Sequence, residues 1–463
     1  MKESIQKINS KKIRVKILSM ILPITIENIL QMLTGFVSMA MIGRIDAIAI
    51  GALGISQRLT QIVWALFKGV TTGASVFVAQ AYGANNIKKL KSVIQQTLLS
   101  TIILVLILQQ IIFWKASSLL SIFNPSVELM ASATSYLKIV SWGLPFLAIS
   151  LVVTGVLQGM GNAKTPMKIA FIMNIVNIAC GFVLIFGNFG FTALGLKGAA
   201  MATVIAQMVS ALLGLYVLFG KNGVLGSMYN RSFFELDFKE ILSVYKVGMP
   251  SAFESIFWQV SAIILTKIIL SYGETALAAY MLGLQAESIS YMPAAGFGIA
   301  STAFIGQAIG SRNKTLGKLY LRELVKGSLL LTIFTAGILI FFPSGVMSLL
   351  TNELEVIKIG SVYLVIMGLV QIPQNISGVL NGALRGAGFT KVPMIVAGVG
   401  IWGIRIPLAL LLTNYFKFDI KAIWIILGID LVCRFFLSLF IYKSKDIYDQ
   451  KLIIESDTAH SNT

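Results

Sequence analysis

Apolar stretches of roughly twenty residues recur along almost the whole chain, separated by short polar segments, and each is long enough to cross about 30 Å of hydrocarbon at about 1.5 Å of helix rise per residue. The pattern predicts twelve membrane-spanning helices, at 17–42, 52–82, 95–115, 130–158, 166–187, 193–219, 247–272, 276–309, 325–346, 356–384, 392–414 and 421–443. The lead from Lys2 to Lys16 carries six Lys/Arg. The apolar run after it is too long for a signal-peptide core and lacks a small-residue cleavage site, so it reads as a retained first helix.

Composition agrees: 56% hydrophobic residues against 12% charged and a mean hydropathy of +0.85 leave a water-soluble fold too little polar surface. The formal charge of +18 is spread between the helices rather than gathered on one face, so no nucleic-acid partner is expected. If the amino terminus is cytoplasmic, the inner loops hold Lys88, Lys89, Lys91, Lys164, Lys221, Arg231, Lys239, Lys246, Arg312, Lys314, Lys318, Arg322, Arg385 and Lys391. The outer loops hold only Arg44, Lys115, Lys197, Lys358, Lys417 and Lys421. That asymmetry places both termini in the cytoplasm of a multi-pass inner (plasma) membrane protein whose basic loops meet anionic lipid headgroups.

Self-similarity at a constant offset of 227 residues is the most informative feature. Pro23 and Glu27 match Pro250 and Glu254, and Gly69, Phe77, Gln80, Gly83 and Asn86 match Gly296, Phe304, Gln307, Gly310 and Asn313. The segment Leu157-Gln-Gly-Met-Gly-Asn-Ala-Lys-Thr-Pro-Met167 aligns without gaps to Leu384-Arg-Gly-Ala-Gly-Phe-Thr-Lys-Val-Pro-Met394, with six identities in eleven positions. The expected fold is all-α and integral to the membrane, with two tandem six-helix lobes related by a pseudo-two-fold axis along the membrane normal. The lobes are 1–219 and 247–445, joined by a cytoplasmic linker, 220–246, and followed by a tail, 446–463. Paired bundles with a seam between them suit alternating access.

The repeated Gly-x-Gly-x-x-Lys-x-Pro-Met loops resemble those of the multidrug and toxic compound extrusion (MATE) family. So do the block from Leu284 to Gly298, the Val78-Ala-Gln-Ala-Tyr-Gly83 ending with its partner Ile305-Gly-Gln-Ala-Ile-Gly310, and Arg405-Ile-Pro407. The resemblance covers about residues 15–445 and implies an antiporter that exchanges protons or sodium ions for amphipathic, often cationic compounds. The chain departs from family patterns at Ser38, Trp258, Gln374 and Gly181, where branches of the family carry acids, so their ion ligands do not transfer. It keeps Pro-x-x-x-Glu, found in some relatives, at Pro23/Glu27 and Pro250/Glu254.

An ionised carboxylate in hydrocarbon costs at least about 2.5–3.5 kcal/mol, so an intramembrane Glu should face protein and often has work to do. Glu27, Glu254 and Glu287 are the cation-coupling candidates. A proline four residues before each of the first two frees a backbone carbonyl near the acid and permits bending. A purely structural alternative is a neutral Glu bonded to backbone or Asn. Substrate contact is expected from mid-helix polar and aromatic residues: Asn28, Gln31, Asn174, Asn177, Trp258, Gln259, Gln285, Tyr291, Gln374 and Asn375. Thr34, Ser38, Asn174 and Asn177 are oxygen donors for sodium, so either ion remains open. Asp430 and Arg434 are spaced for a local salt bridge, and Arg405, before Pro407, is expected to pair either with Asp430 or with a backbone carbonyl.

Cys180 and Cys433 stand alone in apolar runs and read as packing residues, and His460, in the tail, is the single histidine. Neither a metal cluster nor a nucleotide loop is present, so an enzyme, an ATP-driven pump and a cofactor are not expected. The other transport reading is a flippase for lipid-linked precursors. A monomer carrying a small-molecule cargo is expected.

Overall fold

The computed structural model describes residues 10–45, 47–221, 223–226, 234–416, 418–449 and 452–456. The sequence readings at Lys2, Arg231, Lys417 and His460 fall outside these residues. The described residues form helices and no strand. In order they are α1 (Ser10–Gly43), α2 (Ala47–Gly83), α3 (Ile87–Leu120), α4 (Val127–Ser141), α5 (Leu144–Gly159), α6 (Lys164–Phe186), α7 (Gly195–Phe219) and α8 (Phe238–Leu270). Then come α9 (Glu274–Gly310), α10 (Lys314–Phe341), α11 (Pro343–Ser348), α12 (Leu354–Gly386), α13 (Lys391–Gly398), α14 (Ile406–Asn414), α15 (Ile420–Ser444) and α16 (Ile453–Ser456).

Among the described residues eleven helical segments are long and apolar enough to cross a membrane, and α4 with α5, bent by 50°, makes a twelfth when the pair is taken as one span. The break falls at Trp142–Gly143, inside what the sequence reads as one span, and Pro145 at the start of α5 takes no part in a continuous ladder. The eleventh span also departs from a uniform helix, because Val399–Arg405 forms a π-helical turn between α13 and α14.

Several helices begin well before their apolar runs because a polar residue caps them. Asn86 accepts the Lys89 N–H at 3.0 Å and its repeat equivalent Asn313 accepts the Leu316 N–H at 2.9 Å. Asp237 caps α8 through the Lys239 and Glu240 N–H groups. Such caps satisfy donors that a first helical turn leaves open.

Packing divides the chain into two units. The first comprises residues 26–78 and 86–252; the second comprises the segment ending at Thr25, residues 79–85, and the chain from Phe253 onward. Both α1 and α8 therefore change unit part-way along, at positions one repeat apart. Within the first unit, Gly69 of α2 lies so close to α8 that a Cβ there would come 2.5 Å from that of Ala252. Within the second, the equivalent Gly296 of α9 faces Ile21 and Thr25 of α1. Small residues at these crossings permit close backbone approach, which drives helix association in lipid.

The repeated loops have a related logic. Gly161 and Gly388 take positive φ (85° and 91°), where only glycine is unstrained. The glycines two residues earlier are needed for contact: a Cβ at Gly159 would meet the Ser75 carbonyl at 2.8 Å and one at Gly386 the Thr302 carbonyl at 2.5 Å. Ser75 and Thr302 are themselves one repeat apart. The second unit has an aromatic core around the fully buried Trp424, stacked on Tyr280 at 5.5 Å and edge-on to Tyr363 at 5.0 Å.

Candidate transport site

In the first unit, the helical period of α1 places Glu27, Gln31, Thr34 and Ser38 on one stripe. On α2 the same period aligns Gln57, Gln61, Trp64 and Lys68. The two stripes share a cavity of about 480 Å³, lined among others by Thr34, Ser38, Gln57, Gln61, Trp64 and Asn177. Ser38 donates a hydrogen bond to Asn177 Oδ1 at 3.2 Å, so two of the expected sodium ligands satisfy each other.

Glu27 precedes the lining residue Thr34 by about two turns on the same α1 stripe. It is 8% exposed, and its Oε2 is buried without a hydrogen-bond partner. The Lys68 ammonium acts on it electrostatically and lies 5.8 Å from the centre of the Trp64 ring. Asn174 is buried with its Nδ2 unpartnered, whereas Asn28 is half-buried and Gln31 exposed. Of the substrate residues expected from sequence, Asn177 lines the cavity. Gln57, Gln61, Trp64, Thr203 and Gln207 line it too and escaped notice, although the spacing of the first three was a readable helical stripe.

In the second unit the equivalent acid has a different setting. Arg385 Nη2 donates to both oxygens of Glu254, at 2.8 and 2.6 Å. Arg385 stands one repeat from Gln158. Glu287 is fully enclosed and accepts from Tyr363 Oη at 2.5 Å and Gln371 Nε2 at 2.8 Å, one donor to each oxygen. Asp430 receives Arg405 Nε at 2.7 Å, Arg434 Nε at 2.7 Å and Arg434 Nη2 at 2.5 Å. Both guanidinium carbons lie over the Trp258 ring, at 5.0 Å for Arg405 and 4.5 Å for Arg434, a cation–π arrangement. The π-helical turn brings Gly400 against Asp430 and Arg434, where a Cβ would come within 2.2 Å of either side chain.

Other expected substrate residues are dispersed in this unit. Asn375 donates to Thr332 at 2.9 Å and ties α12 to α10. Gln374 Oε1 is buried and unpartnered; Gln259 and Gln285 are half-buried, and Tyr291 is exposed. Among the described residues no group of three His, Cys, Asp or Glu is placed to hold a metal ion.

A multi-pass helical bundle with a polar cavity inside one unit and enclosed carboxyls on proline-bearing helices defines a membrane transporter. The MatE family model matches residues 23–183 and 250–411, once in each repeat, and the chain belongs to this family of multidrug and toxic compound extrusion transporters, which are not enzymes. It is 32% identical over 443 residues to a probable multidrug resistance protein NorM of Thermotoga maritima, covering 94% of this chain and 93% of that one. It is 28% identical over 439 residues to the probable multidrug resistance protein YoeA of Bacillus subtilis, covering 92% and 94%. A crystal structure of MATE in the bent conformation has the same fold, with a TM-score of 0.86 at 18% identity over 98% of this chain and 99% of that one. A MOP superfamily transporter from Pyrococcus furiosus gives 0.83 at 18% identity, covering 97% of each.

Proposed function

We propose that this protein exports amphipathic small molecules by alternating access in exchange for a cation, and that Glu27 is the coupling group. The observation that carries the reading is the state of the Glu27 carboxyl, enclosed and with one oxygen unpartnered. Exclusion from water favours its protonated form, while opening to water favours the carboxylate, so the group can load and release a proton as access alternates. A lone carboxyl suits a proton; a sodium ion would need several oxygens around it. Glu254, held by Arg385, is assigned to structure, and Glu287, with a donor on each oxygen, is the reserve coupling candidate. A monomer suffices, and both termini are cytoplasmic.

Glu27→Gln keeps shape and hydrogen bonding but cannot ionise. In proteoliposomes it should insert in normal amount and lose gradient-driven export, and in the wild type a protonophore, rather than sodium removal, should collapse transport. Wild-type export by Glu27→Gln under the same gradient would move coupling to Glu287. A cysteine at Asn313 should react with an impermeant thiol reagent only from the cytoplasm, and one at Asn188 only from outside; the reverse result would invert the orientation. A lipid-linked phosphate cargo is disfavoured by the cavity lining, which among the described residues includes no Lys or Arg.

A further inference from the structure

The wall of the first unit's cavity mixes polar and apolar groups, and among the described residues it carries no Asp, Glu, Lys, Arg or His. Its hydrogen-bonding groups are amides and hydroxyls, chiefly Gln57, Gln61, Asn177, Thr34 and Ser38. We propose that this cavity takes uncharged amphipathic molecules bearing amide or hydroxyl groups and discriminates against organic cations. The inference rests on the reading of the chain as a small-molecule exporter and names the class of its cargo.

Three physical arguments converge. A cation entering the cavity gives up hydration and finds no carboxylate in the lining to replace it, which is unfavourable in a low-dielectric site. Neutral amide and hydroxyl oxygens offset that loss only in part, and of the aromatic faces that could hold a cation the Trp64 ring already has the Lys68 ammonium 5.8 Å from its centre, while Tyr136, the other ring in the lining, is 6% exposed. A second positive charge at Trp64 would meet Lys68 as a like charge. An uncharged cargo meets none of these penalties. Side-chain amides offer it donors and acceptors together, and Met39 and Met41 in the lining adapt to varied apolar shapes. The volume, about 480 Å³, lies in the range of small-molecule sites.

The test uses two dyes of the same scaffold, dansylcadaverine, which carries an ammonium, and its N-acetyl derivative, which does not. Equilibrium binding to the full-length protein in lipid nanodiscs, with no ion gradient, separates cargo choice from coupling. The acetylated dye should bind the wild type at least about tenfold more tightly, as expected when one partner arrives with an unpaired polar group. Asn177→Asp keeps the volume and the acceptor for Ser38 but adds a carboxylate, and should reverse the order. Gln61→Leu should weaken the acetylated dye alone, which ties binding to this cavity. Equal or tighter binding of the ammonium dye by the wild type overturns the proposal, while gradient-driven export of that dye would leave the transport reading standing. If neither dye binds, the cavity is not a cargo site for such molecules and the proposal falls.

Discussion

Glu27 and Glu254 stand at the same place in two copies of one sequence motif, four residues after a proline in a membrane helix, yet only one has a guanidinium on it. The partner that distinguishes them lies on another helix: Arg385 reaches both oxygens of Glu254, whereas the equivalent position in the first repeat is Gln158. Duplication supplied two equal acids. Divergence at Gln158/Arg385 and at Lys68/Ala295 then left one as half of an ion pair and the other as an enclosed carboxyl without a guanidinium, acted on by Lys68. A buried carboxylate is tolerable when paired and costly when alone, so the lone acid is the one suited to changing its protonation.

The sharpest way to break this contrast is to give the first repeat the partner of the second. Gln158→Arg should place a guanidinium on Glu27 and hold it ionised. Export under a membrane potential should then lose the accumulation that one charge sustains at 100 mV, about 2.3 kcal/mol or roughly fortyfold, as read by dye accumulation in proteoliposomes. Retained accumulation in a correctly folded Gln158→Arg protein would show that the missing ion pair is not what sets Glu27 apart.

Removing the partner from the second repeat should act on stability instead. Glu254→Gln leaves Arg385 without its counter-ion, and a broken buried pair costs about 3–5 kcal/mol; because the Glu254 and Arg385 side chains are 16% and 23% exposed, the lower end of that range is expected. The double variant Glu254→Gln/Arg385→Gln should recover most of the lost thermal stability in a detergent melting assay. If the single variant melts like the wild type but stops export, Glu254 belongs to coupling. The smallest effect probes where the halves are alike: Asn86→Ala and Asn313→Ala should each cost about 1 kcal/mol, the usual value of a helix cap, and should do so equally. Unequal shifts would show that asymmetry extends beyond the acids.

Much of the fold was legible because lipid imposes a simple rule. Every span must be apolar over its crossing length and satisfy its own backbone, and the long runs and the repeat followed directly. Helix starts were harder to read, because Asn86, Asn313 and Asp237 open helices in polar segments that hydropathy assigns to loops. The bend at Trp142–Gly143 and the π-helical turn before Arg405 also escaped, since both leave the apolar run unbroken. The change of unit within α1 and α8 had a trace in the paired glycines Gly69 and Gly296, but a glycine match does not say which helix it faces. Of the candidate site, the acids and Asn177 were found by rarity. The aligned pair Gln158 and Arg385 was visible as a mismatch inside the repeated loop, and only the contact with Glu254 gave it meaning.

The split packing of α1 has a consequence for how the molecule is made. The part of α1 before Ile26 finds its neighbours on α9, where Gly296 accepts Ile21 and Thr25, and α9 leaves the ribosome more than half the chain later. During synthesis that stretch must wait in the bilayer, or against the insertion machinery, with its final surface uncovered. Completion of the first helix is thus among the last events of assembly.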